Sequence, residues 1–120
     1  MKARMALIAL AIAASQFSPT HLTHTLAQTQ TGVASVYSAE SGSKTTSGQK
    51  LNPAALTGAH RTLPFGSKVT VTNKSNGRSV VVTINDRGPF VRGRVIDVSP
   101  TAARALGFSG LTQVSVRTGD

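Results

Sequence analysis

The stretch "KVTVTNKSNGRSVVVTIND", Lys68 to Asp86, constrains the fold more than any other. Val69 and Val71 alternate with Thr70 and Thr72, the period-two pattern of a strand with one buried face. Asn76-Gly77 follows, a dipeptide that tolerates positive φ and closes hairpins. Ser79 to Ile84 is a second β-branched run. Its unalternating Val80-Val81-Val82 predicts a strand buried on both faces. An antiparallel pair of this kind leaves two open edges unless further strands close the sheet.

The rest of the chain supplies them. "VASVYS" (Val33–Ser38) reads as a strand after a polar lead-in from Gln28 to Gly32. Ala39 to Pro53 is rich in Ser, Thr and Gly, and is expected to be a long surface loop of the functional kind. A helical turn or two is expected from Pro53, and Pro64 prevents a longer helix. Arg94–Val98 is a short strand. A compact helix follows, with Ser99 as its cap, Pro100 at its first position and Gly107 as its stop. Leu111–Thr118 alternates again and closes the domain. Two segments echo each other, "NPAALTGAHRTLPFGSKVTV" and "SPTAARALGFSGLTQVSV". Either two interlocked halves or chance likeness between Ala-rich stretches accounts for this. The fold class expected is mainly β: a small closed barrel of six or so strands with one or two short helices.

The first 27 residues stand apart. Lys2 and Arg4 precede an apolar run from Met5 to Ala14, the layout of a secretory signal peptide. The run is shorter than the roughly 20 residues that span a bilayer. Cleavage after Ala27 fits the small residues there, with an earlier site near Ala14 or Ser15 as the alternative, and a buried N-terminal helix as the rival reading. Residues 28–120 then form the folded domain. The chain has no cysteine, which excludes a disulfide framework, a thiol nucleophile and lipidation at a cysteine. An exported, soluble protein without a membrane anchor is expected, periplasmic or secreted. Without Lys2 and Arg4, eleven basic residues face four acids, a balance of +7 that favours polyanionic partners. The basic residues are scattered and aromatics are few, so nucleic acid is not the expected partner.

The chemistry available is narrow. Residues 28–120 carry four carboxylates, Glu40, Asp86, Asp97 and Asp120, and one histidine, His60. That inventory argues against a metal site, which takes three or four ligands. It also lacks a Gly-x-Ser-x-Gly elbow and a phosphate-cradling glycine loop. Asp86 ends a strand just before Gly88-Pro89 turns the chain, so it belongs on a rim where a ligand can reach it. Otherwise it caps the turn or pairs with Arg87, Arg92 or Arg94. Asp97 fits best as an acceptor for loop or helix-start amides. Arg61, Arg87, Arg92 and Arg94 form either a basic groove wall or an ordinary solvated face.

The pieces "GVASVYS", "LTGAHRTLPFG" and "NDRGPFVRGRVIDVSPTAARALGF" resemble the rare lipoprotein A family, over Gly32 to about Arg117. The resemblance implies a six-stranded double-psi β-barrel and endolytic peptidoglycan transglycosylation. That reaction cleaves between N-acetylmuramic acid and N-acetylglucosamine without water and leaves a 1,6-anhydro end. A hydrolase needs two carboxyl groups; here the substrate's own 6-hydroxyl is the nucleophile, and one acid/base suffices. The resemblance places Asp86 as that acid/base and His60 as its partner. Gln49, Asn52, Tyr37 and Arg87 become substrate contacts. It implies no cofactor and no metal. It implies peptidoglycan glycan strands as partner, cell-division proteins as possible company, and a monomer. Gln49 stands where the family often has Glu, and Asn52 where it has Asp. Val36-Tyr37-Ser38 stands where it has Trp-Tyr-Gly, which removes an aromatic sugar platform. A barrel that binds peptidoglycan with weak or no turnover is therefore the rival expectation.

Overall fold

The computed structural model describes residues 28–37, 45–48 and 52–119; the segment read as a signal peptide, Glu40 and Gln49 lie outside them. Six strands occur in chain order: β1 (Gln28–Val36), β2 (Thr57–Ala59), β3 (Lys68–Asn73), β4 (Ser79–Asp86), β5 (Arg94–Val98) and β6 (Thr112–Thr118). One helix, α1 (Pro100–Leu106), lies between β5 and β6. The strands close into a barrel in the order β1-β5-β2-β4-β3-β6, the closed mainly-β architecture expected.

The hairpin forms where the sequence places it. β3 and β4 pair antiparallel from Lys68 opposite Thr83 to Thr72 opposite Ser79, and Gly77 takes φ 80° in the turn. Val69, Val71, Val82 and Ile84 from this pair meet Ile96, Val98, Val114 and Val116 in the core, each 2% exposed or less. Full burial of such a side chain contributes about 1.5–3 kcal/mol. Asn73 is buried at the hairpin's end, and its Nδ2 donates to the Leu106 carbonyl at 2.9 Å. The turn thereby satisfies a carbonyl left unpaired at the helix C-terminus. The helix matches its expected ends. The Ser99 hydroxyl accepts from Ala102 N at 3.2 Å, Pro100 opens the first turn, and Gly107 stops it at φ 77°.

Three expectations are corrected. Val81 is 50% exposed, so β4 is buried on one face only: among the described residues no second layer covers the outer barrel wall there. The polar lead-in Gln28–Gly32 is part of β1, because β6 pairs with its backbone from Gln28 opposite Thr118 to Gly32 opposite Val114. Backbone pairing needs no apolar side chain. Pro53–Ala55 is a turn rather than a helix, closed by Ala55 N donating to Asn52 O at 3.1 Å. It is docked on the start of α1 through Ser99 Oγ to Ala55 O at 2.6 Å.

The barrel has an internal two-fold logic. Exchanging β1, β2 and β3 for β4, β5 and β6 turns the parallel pair β1–β5 into the parallel pair β2–β4, and the antiparallel β1–β6 into β3–β4. β2–β5 and β3–β6 map onto themselves. The sequence echo matches this symmetry only at its ends, β3 and β6. Its Ala-rich parts are not equivalent, since one precedes β2 as a turn and the other follows β5 as a helix.

Candidate active site

A one-residue slip decides where Asp86 points. Gly58 of β2 stands opposite Ile84 of β4, yet the next residue, Ala59, stands opposite Asp86, so Asn85 is an extra residue on β4. Val82 and Ile84 are fully buried in the core, and simple alternation would send Asp86 the same way. The slip reverses that phase, which is what a bulge does to a side chain. Asp86 is half-buried and level with Ala59. On its other side Ala59 stands opposite Asp97 of β5, and Asp97 stands opposite Ser35 of β1. One row thus crosses four strands, and its two carboxylates lie two strand spacings apart, roughly 10 Å between Cα atoms.

Backbone amides hold Asp86. Its Oδ1 accepts from Thr46 N at 2.8 Å and from Arg87 N at 2.9 Å. Its carbonyl accepts from His60 N at 3.1 Å. No hydrogen bond from the described residues reaches Oδ2. Pro89 is buried beside this turn, while Phe90 is 77% exposed. Asp97 Oδ1 accepts from the Ser35 hydroxyl, so it serves a strand neighbour and not the loop or helix-start amides expected of it. Tyr37 follows the end of β1, within range of the charges of both acids. Its hydroxyl bonds the Thr57 hydroxyl, and burial raises its pKa above the ordinary 10.0. The negative charges of Asp86 and Asp97 push it in the same direction. Tyr37 is therefore a neutral phenol.

The other expected residues fall less simply. The His60 side chain does not meet the Asp86 carboxyl. Its Nδ1 accepts from Thr62 N at 3.1 Å and Leu63 N at 3.2 Å, which assigns the proton to Nε2, the donor to Gln30 Oε1 at 3.0 Å. Burial lowers its pKa below 6.5, and the charges of Arg61 and Arg87 lower it further, so the ring is neutral. It lines a cavity of about 340 Å³ with Gln28, Gln30 and Thr118. Arg87 donates to the carbonyls of His60 at 3.1 Å and Leu63 at 2.7 Å, and stacks 4.0 Å from the Phe65 ring centroid. Its guanidinium fastens the loop after β2, and only its backbone N–H meets the Asp86 carboxyl. Asn52 is exposed, with Oδ1 accepting from Ala54 N at 3.0 Å. Gln49 lies outside the described residues. A second cavity of about 200 Å³, lined by Ser47, Phe65, Gly66, Thr83, Ile84 and Asn85, adjoins the Thr46 contact; Asp86 lines neither cavity. The described residues contain no group of three or more His, Asp or Glu able to hold a metal ion.

Sequence reasoning missed Thr46, Thr57 and the Ser35–Asp97 pair. Thr46 acts through its backbone, so only its place in a long Ser/Thr/Gly loop could have marked it.

Three comparisons bear on this site. A family model described as lytic transglycolase matches residues 29–118. A probable endolytic peptidoglycan transglycosylase RlpA of a Nostoc species is 57% identical over 89 residues, covering 72% of this chain and 24% of that protein. The endolytic peptidoglycan transglycosylase RlpA of Yersinia pestis is 52% identical over 88 residues, with coverage of 72% and 24%. The chain thus spans about a quarter of the length of these curated relatives. Among solved structures, a mutant Clavibacter michiganensis expansin in complex with cellohexaose aligns with a TM-score of 0.62 at 23% identity, over 78% of this chain and 51% of that one. The Streptomyces papain inhibitor aligns with a TM-score of 0.55 at 23% identity, over 73% and 94%. At these identities the two structures share the barrel fold.

Proposed function

Because this chain belongs to the lytic transglycolase family, we propose that its barrel cleaves peptidoglycan glycan strands between N-acetylmuramic acid and N-acetylglucosamine, outside the cytoplasm. The observation that carries the reading is the setting of Asp86: one carboxyl oxygen tied by two backbone amides, the other unengaged by any described residue, on the same row as Asp97. Asp86 Oδ2 gives its proton to the bridging oxygen as the anomeric C–O bond breaks. The 6-hydroxyl of the same muramic acid residue attacks the anomeric carbon, and its proton returns to Oδ2. Atoms balance without water, the product is the 1,6-anhydro sugar, and the acid is regenerated. Tyr37, held by Thr57, offers a neutral hydrogen-bonding group beside this carboxyl. His60 and Arg87 are positioning residues: the His60 amide anchors the Asp86 carbonyl, and Arg87 fastens the loop that follows His60. Gln49 and the exposed Asn52 amide contact substrate. No helix of the described residues is long and apolar enough to cross a membrane, and residues 1–27 act as the export signal.

The test is digestion of purified sacculi by the protein and by Asp86→Asn, with anhydromuropeptides as readout. Product from the native chain and none from the variant supports the reading; equal product from both removes Asp86 from its role. A second reading is a barrel that binds glycan without turnover. It is favoured by Gln49, an amide at a position where the family often has a carboxyl. It predicts sacculus binding with no product from the native chain, and product only after Gln49→Glu.

A further inference from the structure

Phe90 is the most exposed large apolar side chain among the described residues, at 77%, and it is not loose. It lies four residues beyond Asp86, in the turn from β4 to β5. Arg61 clamps that turn, its guanidinium donating to Pro89 O at 2.9 Å and Arg94 O at 3.0 Å. The turn is closed again by Arg94 N to Val91 O at 3.1 Å and fastened to β1 by Val33 N to Gly93 O at 3.0 Å. The ring rests over Gly88. A Cβ on Gly88 would lie 3.5 Å from the Phe90 ring, and Gly88 itself adopts φ +113°. An aromatic carried on a turn whose backbone is fixed in this way has less freedom left to lose when a ligand arrives. The rim it occupies is that of the Asp86 row: β2 is antiparallel to β5 and the chain leaves it through His60 to Arg61, so Arg61 and the start of β5 lie only a few residues from Asp97.

Resting on the function proposed above, we infer that Phe90 is a stacking platform for the C–H face of a hexopyranose in the glycan strand, next to the cleaved bond. A pyranose presents axial C–H groups on one face, and a flat ring with a negative π-surface matches them. Tyr37 cannot serve in this way, because its hydroxyl is engaged by Thr57 and its ring is half-buried. Phe65 carries the Arg87 guanidinium on its face. Phe108 packs against the core. Among the described residues, Phe90 is the aromatic that remains.

The experiment measures binding and turnover separately. Binding of soluble, peptide-free peptidoglycan glycan oligomers is titrated calorimetrically on the Asp86→Asn protein, with Phe90 native or changed to Ala, Leu or Tyr. Ala and Leu are expected to weaken binding about three- to ten-fold, the range of an aromatic contact, and Tyr to keep it within about two-fold. In chains with native Asp86, Phe90→Leu raises KM by a similar factor and leaves kcat nearly unchanged. Native affinity in both Ala and Leu overturns the platform, and so does native affinity in Leu alone, since that is simple apolar contact. A wild type that sediments as a dimer, with Phe90→Ala monomeric and glycan affinity unchanged, also overturns it and makes the patch a contact between copies. Should Phe90→Ala melt early, Leu and Tyr carry the comparison. Product formation that survives Asp86→Asn defeats the catalytic reading whatever Phe90 does, so the two failures are distinguishable.

Discussion

The two parallel strand pairs of this barrel use the same device for different ends. In β1–β5 the register slips where Val33 faces Arg94 and Ala34 faces Ile96, leaving Val95 as the extra residue. Val95 is 7% exposed and fills the space over Gly32, whose absent Cβ would lie 2.4 Å from Val95 Cγ1. In β2–β4 the slip comes at the strand end, leaves Asn85 extra, and brings Asp86 level with Ala59 and Asp97. One bulge is absorbed by packing; the other re-aims a carboxyl. The two-fold pairing scheme requires neither slip to have a particular use. Chemistry follows the slip that falls at a rim.

This contrast can be broken at either end. Asp86→Asn has the largest expected effect: anhydromuropeptide release falls about 10²- to 10⁴-fold, the contribution of a positioned acid/base, with the melting temperature little changed. Gly32→Ala does the reverse. The new methyl forces Val95 aside and costs about 1–3 kcal/mol in urea unfolding, while turnover per folded molecule is kept. An equal loss of turnover and stability in both variants would mean the two slips are not separable. Tyr37→Phe sharpens the picture between them. It removes the bond to Thr57, costs about 0.5–1.5 kcal/mol of stability, and lowers turnover less than Asp86→Asn does.

The smallest effect is a pH slope from His60. Its folded-state pKa lies below the 6.5 of a free imidazole, so the unfolded chain takes up a proton first as pH falls. Its contribution to stability is whole above about pH 6.5 and declines between there and the lowered folded-state value. Urea unfolding of the native chain at pH 7.5 and 5.5 should show this loss, and His60→Gln should reduce it. An unchanged slope in His60→Gln would assign it to other groups.

Much of this molecule is written in local sequence. The Val/Thr alternation from Val69, the Asn76-Gly77 turn, and the Ser99, Pro100 and Gly107 signals around α1 each act within a few residues, and each appears where expected. Asp86 at a strand end was legible for the same reason, because Gly88-Pro89 must turn the chain. A closed barrel was expected, but the strand order around it, the pairing of Gln28–Gly32 with β6, the exposure of Val81 and the slip at Asn85 were not legible. Each depends on which strand lies alongside, a choice made among segments far apart in the chain. The amide of Thr46 meets Asp86 across 40 residues, and backbone groups carry no residue-specific mark. Side-chain periodicity thus set the strands and the helix. Only strand pairing, which sums backbone hydrogen bonds over the whole barrel, decided that Asp86 looks outward past Ala59 instead of into the core.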